Sequence, residues 1–355
     1  MQPIFAERLR SARILNGLSL QDLADKMEKK ISRQAIHKFE KGELIPDSEM
    51  LIGLSNALNV RPDFFMRESK IEFGEIEFRK LQKLPAKEEY KIIEQVRDYL
   101  ARYLELEQIL AIETRFNNPL KNIGAIKSSD DIESAADQLR KDWKLGLDPV
   151  SNVVALVEDK HIKVIEINAG NSFDGMQSWV NGNIPVIAIN MDKNKSPDRI
   201  RFTIFHELCH LLIKDLCNHT LKQREKFCHQ FAGAMLIPGK TAKEELGMSR
   251  NKILIQELGL LKKQYGISIQ ALIMRAKDLN IITDSYCKQF FFFLTQMGWR
   301  VNEPEEYNYQ QEEKTNRFHQ LLFRALAEEV ISVSKAASLN NQSVADFRDN
   351  FMKVQ

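Results

Sequence analysis

The chain has 355 residues, of which 51 are Lys or Arg and 49 are Asp or Glu, so its net charge is only +2. This length suggests two or three domains, and the near-neutral charge means that any affinity for nucleic acid must come from a local basic patch. Its four cysteines do not make a disulfide framework, no run of about 18 apolar residues could span a membrane, and residues 1–30 lack a signal-peptide pattern, so we expect a reduced, cytoplasmic protein.

Residues 4–66 carry the pattern of four short helices. Ser19, Ser32 and Asp47 stand at expected N-cap positions, and Gly42 ends the third helix. The second and third helices are separated by a brief turn. This is the geometry in which the second helix of such a pair enters a DNA major groove.

The third helix also concentrates positive charge. Between Lys29 and Lys41 the chain has five Lys or Arg and a single acid, Glu40. The side chains that this helix would turn outward are Arg33, Gln34, His37 and Lys38. Basic groups neutralise phosphate, and Arg and Gln read guanine and adenine edges. The alternative is a small helical domain that docks protein and whose basic face is merely solvated.

This block resembles the XRE family of phage-repressor-like helix-turn-helix domains. The resemblance is carried by L-R-x-A-R, by L-S-L-Q-D-L-A and by I-S-R-Q-A-I-x-K-F-E-K-G. It implies that Ser32, Arg33, Gln34 and Lys38 lie against double-stranded operator DNA. Because readers of this kind commonly bind two half-sites, we expect a homodimer on DNA.

A long helix is predicted from Pro85 onward, with apolar residues on one stripe: Ile92, Ile93, Val96, Leu100, Tyr103 and Leu104. Such a stripe suits a dimerisation helix, a rigid spacer or ordinary packing inside the chain.

A second domain with a small sheet is predicted from Ser128 onward. Strands are expected at 162–167, in the run MQSWV and in PVIAIN, with Asn181-Gly182-Asn183 as a hairpin signal between the last two. An exposed sheet edge could pair with an extended peptide. Gly175–Val180 and Val186–Asn190 are the candidate edges.

The run RFTIFHELCHLLI, residues 201–213, carries the strongest chemical pattern. His206 and His210 are four residues apart, so a helix would aim both rings at one metal ion, with Glu207 beside it. The flanking residues are apolar nearly all round, which predicts a buried helix. Zinc lowers the pKa of a bound water to roughly 7, and a neighbouring carboxylate can accept its proton.

The third ligand is expected on a facing helix, residues 224–238. Glu225 is the predicted ligand, with His229 as a partner that orients a ligand. The competing assignment makes His229 the ligand. Cys209 and Cys228 are further possible ligands, and Cys209 lies two positions off the ligand face of its helix.

These motifs resemble the ImmA/IrrE family of bacterial metallopeptidases, through RFTIFHELCHLL and then E-x-x-C-H-Q-F-A-G-A-M-L-I-P. The resemblance implies His206, His210 and Glu225 as zinc ligands and Glu207 as general base. It also implies a narrow protein substrate, such as a partner repressor or antitoxin. His229 stands where the family usually has Asn.

The sequence thus predicts a mainly α, multidomain protein. Its expected parts are an all-α helix-turn-helix domain (1–68), a helical linker (69–127), an α+β zincin-like zinc metallopeptidase domain (128–280) and a helical C-terminal region (281–355). The first functional hypothesis is a DNA-binding transcriptional regulator that carries a zinc-dependent endopeptidase. The second is a DNA-binding repressor or antitoxin of a toxin-antitoxin pair whose metal domain is structural or sensory. A third is an enzyme whose N-terminal helices only dock protein.

Overall fold

The computed structural model describes residues 2–28, 30–68, 71–80, 84–113, 115–170, 173–191 and 196–351. Its helices are α1 (Gln2–Leu15), α2 (Leu20–Lys26), α3 (Arg33–Glu40), α4 (Ser48–Leu58), α5 (Ala86–Ile109), α6 (Ser129–Asp142), α7 (Val153–Asp159), α8 (Pro197–Leu212), α9 (Leu221–Leu236), α10 (Gly239–Leu246), α11 (Ile255–Tyr265), α12 (Ile269–Asp278), α13 (Asp284–Gln296), α14 (Arg317–Ala327), α15 (Val333–Leu339) and α16 (Val344–Phe351). Its strands are β1 (Phe73–Lys80), β2 (Lys163–Ile167), β3 (Phe173–Val180) and β4 (Ile184–Asn190). The predicted mainly α, multidomain fold with one small sheet is therefore confirmed.

The chain divides into two compact units. Unit 1 comprises residues 1–72, 82–114 and 316–355, and unit 2 comprises residues 73–81 and 115–315. Unit 1 is discontinuous because helices distant in sequence pack together. The linear division into four segments stays a prediction about how the chain is organised for function. No helix in the described part of the chain has the length and apolar character needed to cross a membrane.

Side-chain caps fix the starts of α2, α3 and α4 in unit 1. The side chains of Ser19, Ser32 and Asp47 accept hydrogen bonds from backbone N–H groups in the first turns of α2, α3 and α4. These bonds satisfy donors that a helix start leaves open. The apolar faces meet in one core, which the short 3₁₀ helix Pro62–Met66 closes with two buried phenylalanines.

The rest of unit 1 packs around α5. Four of the six residues of its predicted stripe are buried, and one of them, Tyr103, shares a core with Leu106 and with apolar residues of α14 and α15. Arg8 of α1 donates to Asp98 of α5 at 2.8 Å, and Asp98 also accepts from Arg102. The stripe thus serves ordinary packing, and a homodimer would need another surface.

The sheet of unit 2 has the strand order β1-β3-β4-β2. β3 and β4 form the predicted hairpin, in which Asn181 and Gly182 both have positive φ angles of 49° and 73°. Two expectations were wrong. Both candidate edges, Gly175–Val180 and Val186–Asn190, belong to central strands, because β1 covers one side of β3 and β2 pairs parallel to β4. β1 itself falls in the segment expected to be a helical linker.

The main core of unit 2 holds α8 against the sheet. α8 packs on β3 and β4 on one side and on α9 on the other, and α9 also contacts α6 and α12. This explains why α8 is apolar nearly all round: almost every face of it is covered.

Candidate metal centre and DNA-binding surface

The metal motif lies in the buried half of α8. The side chains of His206 and Glu207 are fully enclosed, and His210 is nearly so. Helical geometry stacks the two rings one turn apart, and their Nε2 atoms are 3.3 Å apart. Burying two imidazoles and a carboxylate is costly unless each has a polar or metal partner.

Glu225 of α9 completes a triangle with these two rings. Its Oε2 lies 3.3 Å from Nε2 of His206, and its Oε1 lies 3.4 Å from Nε2 of His210. Tetrahedral zinc with ligands at about 2.0–2.1 Å requires ligand atoms roughly 3.3–3.4 Å from one another. The two Nε2 atoms meet this spacing, and each of them meets it with a different oxygen of Glu225, so the three side chains are close enough to share one zinc ion. The role of each residue as a ligand stays a prediction.

The pKa values of this cluster reflect its crowding. Burial alone would raise the pKa of Glu225, but hydrogen bonds from His206 and His210 hold it far below its usual range. Burial alone would lower the pKa of His210, but hydrogen bonds to Cys228 and Glu225 raise it to about 10. The Glu225 carboxylate and the His210 ring thus stabilise each other's charged forms.

Cys228 lies one turn of α9 beyond Glu225 and also faces the histidines. The donor atoms of His206, His210 and Cys228 all lie within 4.8 Å of one another. Burial and the neighbouring Cys209 raise the pKa of the Cys228 thiol well above its usual value. The sequence had marked Cys228 as a possible soft ligand, and its place beside the histidines makes it a fourth donor within reach.

His229 is outside the triangle. It is exposed, its ring stacks on Phe202 at 5.9 Å between centroids, and it lies 4.7 Å from the His206 ring. Glu225 and His229 both line a cavity of about 1200 Å³ in unit 2. His229 is therefore positioned to contact a molecule in the cavity, beside the metal cluster.

The lining of this cavity is rich in positive charge. The charged residues that line it and are at least partly exposed include the bases Arg199, Lys222, Lys226, Lys277 and Arg300. Opposing them among the described lining residues, besides Glu225, are Asp278 and the exposed Glu305. Two further acids of the wall are buried around one lysine: Lys262 lies 2.8 Å from Glu303 and 3.8 Å from Asp198. Two of the five bases are paired with carboxylates, Arg199 with Asp174 at 3.0 Å and Lys277 with Asp278 at 3.7 Å. The positive charge that the cavity offers an anionic ligand therefore comes mainly from Lys222, Lys226 and Arg300.

Gly175 of β3 is a residue of this site that the sequence analysis missed. A Cβ at this position would lie 2.8 Å from Cγ2 of Thr203 and 3.2 Å from both Cγ and Oε1 of Glu207. The absent side chain lets the strand backbone approach the glutamate directly. A glycine within a strand pattern is the available signal for such a close approach.

A buried ion pair fixes the first half of α8. Arg201 donates to Glu313 and to the carbonyls of Val150 and Gly266, and Glu313 also accepts from the first N–H groups of α7. Both side chains are fully buried. This arginine begins the R-F-T run, so its place in the motif is explained by anchoring the helix that carries the histidines.

The candidate DNA surface is on α3. Ser32, Arg33, Gln34, His37 and Lys38 are all exposed, as predicted, while Ile36 and Phe39 are buried on the opposite face. Lys29, which also belongs to the basic run, lies outside the described residues.

The single acid of the basic run points away from this surface. Glu40 makes two hydrogen bonds with Arg13 of α1, at 2.6 and 2.8 Å, and its side chain is buried. Its charge is therefore neutralised inside the unit. The exposed face of α3 is more basic than the sequence count suggested.

Two stretches of the chain match known protein families. Residues 9–65 match a helix-turn-helix family, and residues 157–277 match the Peptidase_M78 family, described as an IrrE N-terminal-like domain. Over 70 residues, 20% of this chain, the sequence is 39% identical to the SPbeta prophage-derived uncharacterized HTH-type transcriptional regulator YonR of Bacillus subtilis (strain 168), and the match spans 63% of that protein. Both resemblances seen in the sequence are confirmed: the chain joins an XRE-type helix-turn-helix domain to an IrrE/ImmA-like domain of the Peptidase_M78 family.

Proposed function

We propose that this protein is a cytoplasmic transcriptional regulator, which binds operator DNA as a homodimer through α3. Unit 2 would be a zinc-dependent endopeptidase that cleaves one partner protein, a repressor or an antitoxin. The observation that carries the peptidase proposal is the convergence of His206, His210 and Glu225. Their two Nε2 atoms are 3.3 Å apart, and each lies 3.3–3.4 Å from one of the two carboxylate oxygens, a spacing that suits tetrahedral zinc. When bound there, zinc would polarise a peptide carbonyl and acidify the attacking water.

The proposed general base is Glu207. It follows the first predicted ligand directly on α8, and β3 encloses it. Its carboxylate would accept a proton from the attacking water and release it to the nitrogen of the departing amine. The basic cavity lining beside Glu225 suits an acidic segment of the partner protein.

The test is the substitution Glu207→Gln, which keeps the shape of the side chain and removes its basicity. Co-expression with the products of neighbouring genes, followed by mass spectrometry, should find a cut partner with the native chain and an intact one with the variant. Zinc content measured on the purified variant should stay at one per chain. Glu244→Gln, on an exposed residue of α10, is the matched control. Equal cleavage by the Glu207 variant would remove this residue from the mechanism.

The DNA-binding proposal is tested separately. Arg33→Ala should weaken binding to the protein's own promoter fragment by about 1–3 kcal/mol if the guanidinium reads a base. Arg348→Ala, on an exposed residue of α16 in the same unit, should leave the affinity unchanged. The same affinity in both variants would favour the reading in which the N-terminal helices dock protein.

A second candidate function, a repressor or antitoxin with a structural metal site, is favoured by Cys228. The donor atoms of Cys228 and the two histidines lie within 4.8 Å of one another, and Glu225 is 3.3–3.4 Å from the same two rings. A metal held by all four side chains would have a closed coordination sphere, as in structural zinc sites. Cobalt-substituted protein distinguishes the two. A thiolate-to-cobalt charge-transfer band that disappears in Cys228→Ser supports the closed site, and its absence in the native chain supports the open, catalytic one.

A further inference from the structure

The edge of β3 is the part of the sheet nearest the predicted catalytic glutamate. Gly175 is the contact point: the space where its side chain would be is within 3.2 Å of the Glu207 carboxylate. A peptide held along β3 on the side away from β4 would therefore lie next to the strand that contacts Glu207. Edge strands offer a row of N–H and C=O groups to which an extended peptide can bind.

This edge is already filled by a segment of the same chain. β1 runs antiparallel to β3, with Phe78 opposite Met176, Arg79 opposite Gly175 and Lys80 opposite Phe173. Neighbouring strands lie about 4.8 Å apart, so the β1 backbone at Arg79 is one strand spacing from the glycine that touches Glu207.

The surroundings of β1 in the chain are unusual. The segments before and after it both belong to unit 1, so β1 is a short excursion into the sheet of unit 2. Its pairing is also irregular, with shifts of register between Phe73 and Ile76 and between Arg79 and Lys80. Regular pairing is confined to the four residues from Ile76 to Arg79, and one side of β1 has no neighbouring strand among the described residues. An edge strand that is irregular at both ends is among the elements that open most readily.

We propose that β1 is an internal substitute for substrate, which occupies the peptide-binding edge of β3 and must leave before a partner peptide can bind. The proposal rests on the proposed peptidase function and adds its regulation. β1 and a partner peptide cannot pair with the same edge of β3 at once. Partner binding is therefore limited by the fraction of molecules in which β1 is detached. If that fraction is about 0.1–10%, the apparent affinity is lower by about 10- to 1000-fold.

The experiment uses a fluorescein-labelled synthetic peptide of residues 71–81, IEFGEIEFRKL, and measures its binding by fluorescence anisotropy. The receptor is the full chain in which residues 73–80 are replaced by an equal length of Gly and Ser, in the Glu207→Gln background so that the peptide is not cut. We expect this chain to bind the peptide at least about 10-fold more tightly than the Glu207→Gln chain with β1 intact.

The control peptide has the same length, with proline in place of every second residue, which removes N–H donors of an antiparallel ladder and should abolish binding. Failure of the replaced chain to bind the native peptide, with its circular dichroism unchanged, overturns the proposal. Equal binding by the intact chain also overturns it.

Hydrogen exchange on the intact chain covers the case in which the replaced chain does not fold. The amides of β1 should exchange faster than those of β4, and an excess of unlabelled peptide should accelerate them further. Protection of β1 equal to that of β4, unaltered by the peptide, would mean that β1 is a permanent strand. Peptide binding in the absence of any partner cleavage would refute the peptidase while leaving the β3 edge as a peptide site.

Discussion

Gly175→Ala tests how closely β3 packs against α8, the helix that carries the predicted zinc ligands His206 and His210. The added Cβ would lie 2.8 Å from Cγ2 of Thr203. Non-bonded carbon atoms are at their optimal separation about 3.5–4.0 Å apart, so the new methyl group would be roughly 1 Å too close to the Thr203 methyl group. Overpacking of this kind costs about 1–3 kcal/mol. For a unit of roughly 200 residues, calorimetry should show a Tm lower by about 2–12 °C.

The matched control is Gly124→Ala, because a Cβ on Gly124 would meet nothing within 4 Å and its φ is ordinary. Its Tm should stay within about 1 °C of the native value. Thr203→Ser removes the methyl group that Gly175→Ala strikes, so the double variant should be less destabilised than the sum of the two single variants, by about 1 kcal/mol. Additive losses, or equal stability of the two alanine variants, would refute the packing argument.

Three further predictions follow from the two units. Lys38→Ala should lower the affinity for all promoter sequences by a similar factor and reduce the slope of log K against log salt by about 1. Filter binding at several salt concentrations measures both, and an unchanged slope would mean that Lys38 does not contact phosphate. Burial alone would raise the pKa of Asp98, but the buried Arg102 and Arg8 hold it below the usual value of 3.8. The charged carboxylate therefore stabilises the fold above that pH, and this contribution is lost as the pH falls through the lowered pKa. Asp98→Asn should make stability depend less on pH in acid unfolding, and an unaltered dependence would contradict this. Glu313→Gln removes the charge that neutralises buried Arg201 and should lower the free energy of unfolding, measured by chemical denaturation, by about 3 kcal/mol. The control Glu312→Gln, on an exposed neighbour, should lower it hardly at all. Equal losses would refute the role of the ion pair.

The parts of the fold set by local chemistry could be predicted from the sequence. Ser19, Ser32 and Asp47 cap their helices through neighbours three residues away, and the spacing of His206 and His210 fixes their common face wherever the helix packs. The position of Glu225 followed from one further assumption, that two amphipathic helices face each other.

The features that depend on distant partners could not. β1 becomes a strand because β3 offers an open edge about 100 residues away, and its own sequence does not announce that pairing. The same pairing turned the expected substrate edge into a central strand. Gly175 matters through contacts with Thr203 and Glu207 on another element, and the burial of Glu40 depends on Arg13.

The order of the helices also affects how the protein is made. The second core of unit 1 needs α5 and also α14 and α15, yet the whole stretch 115–315 is translated between them. At about 5–20 residues per second a ribosome takes roughly 10–40 s over that stretch, so unit 2 can fold before α14 and α15 have been synthesised. A nascent chain stalled before residue 317 would thus carry a folded candidate metal centre and an α5 whose face toward α14 and α15 is still uncovered, which makes that face an expected contact for a chaperone during synthesis.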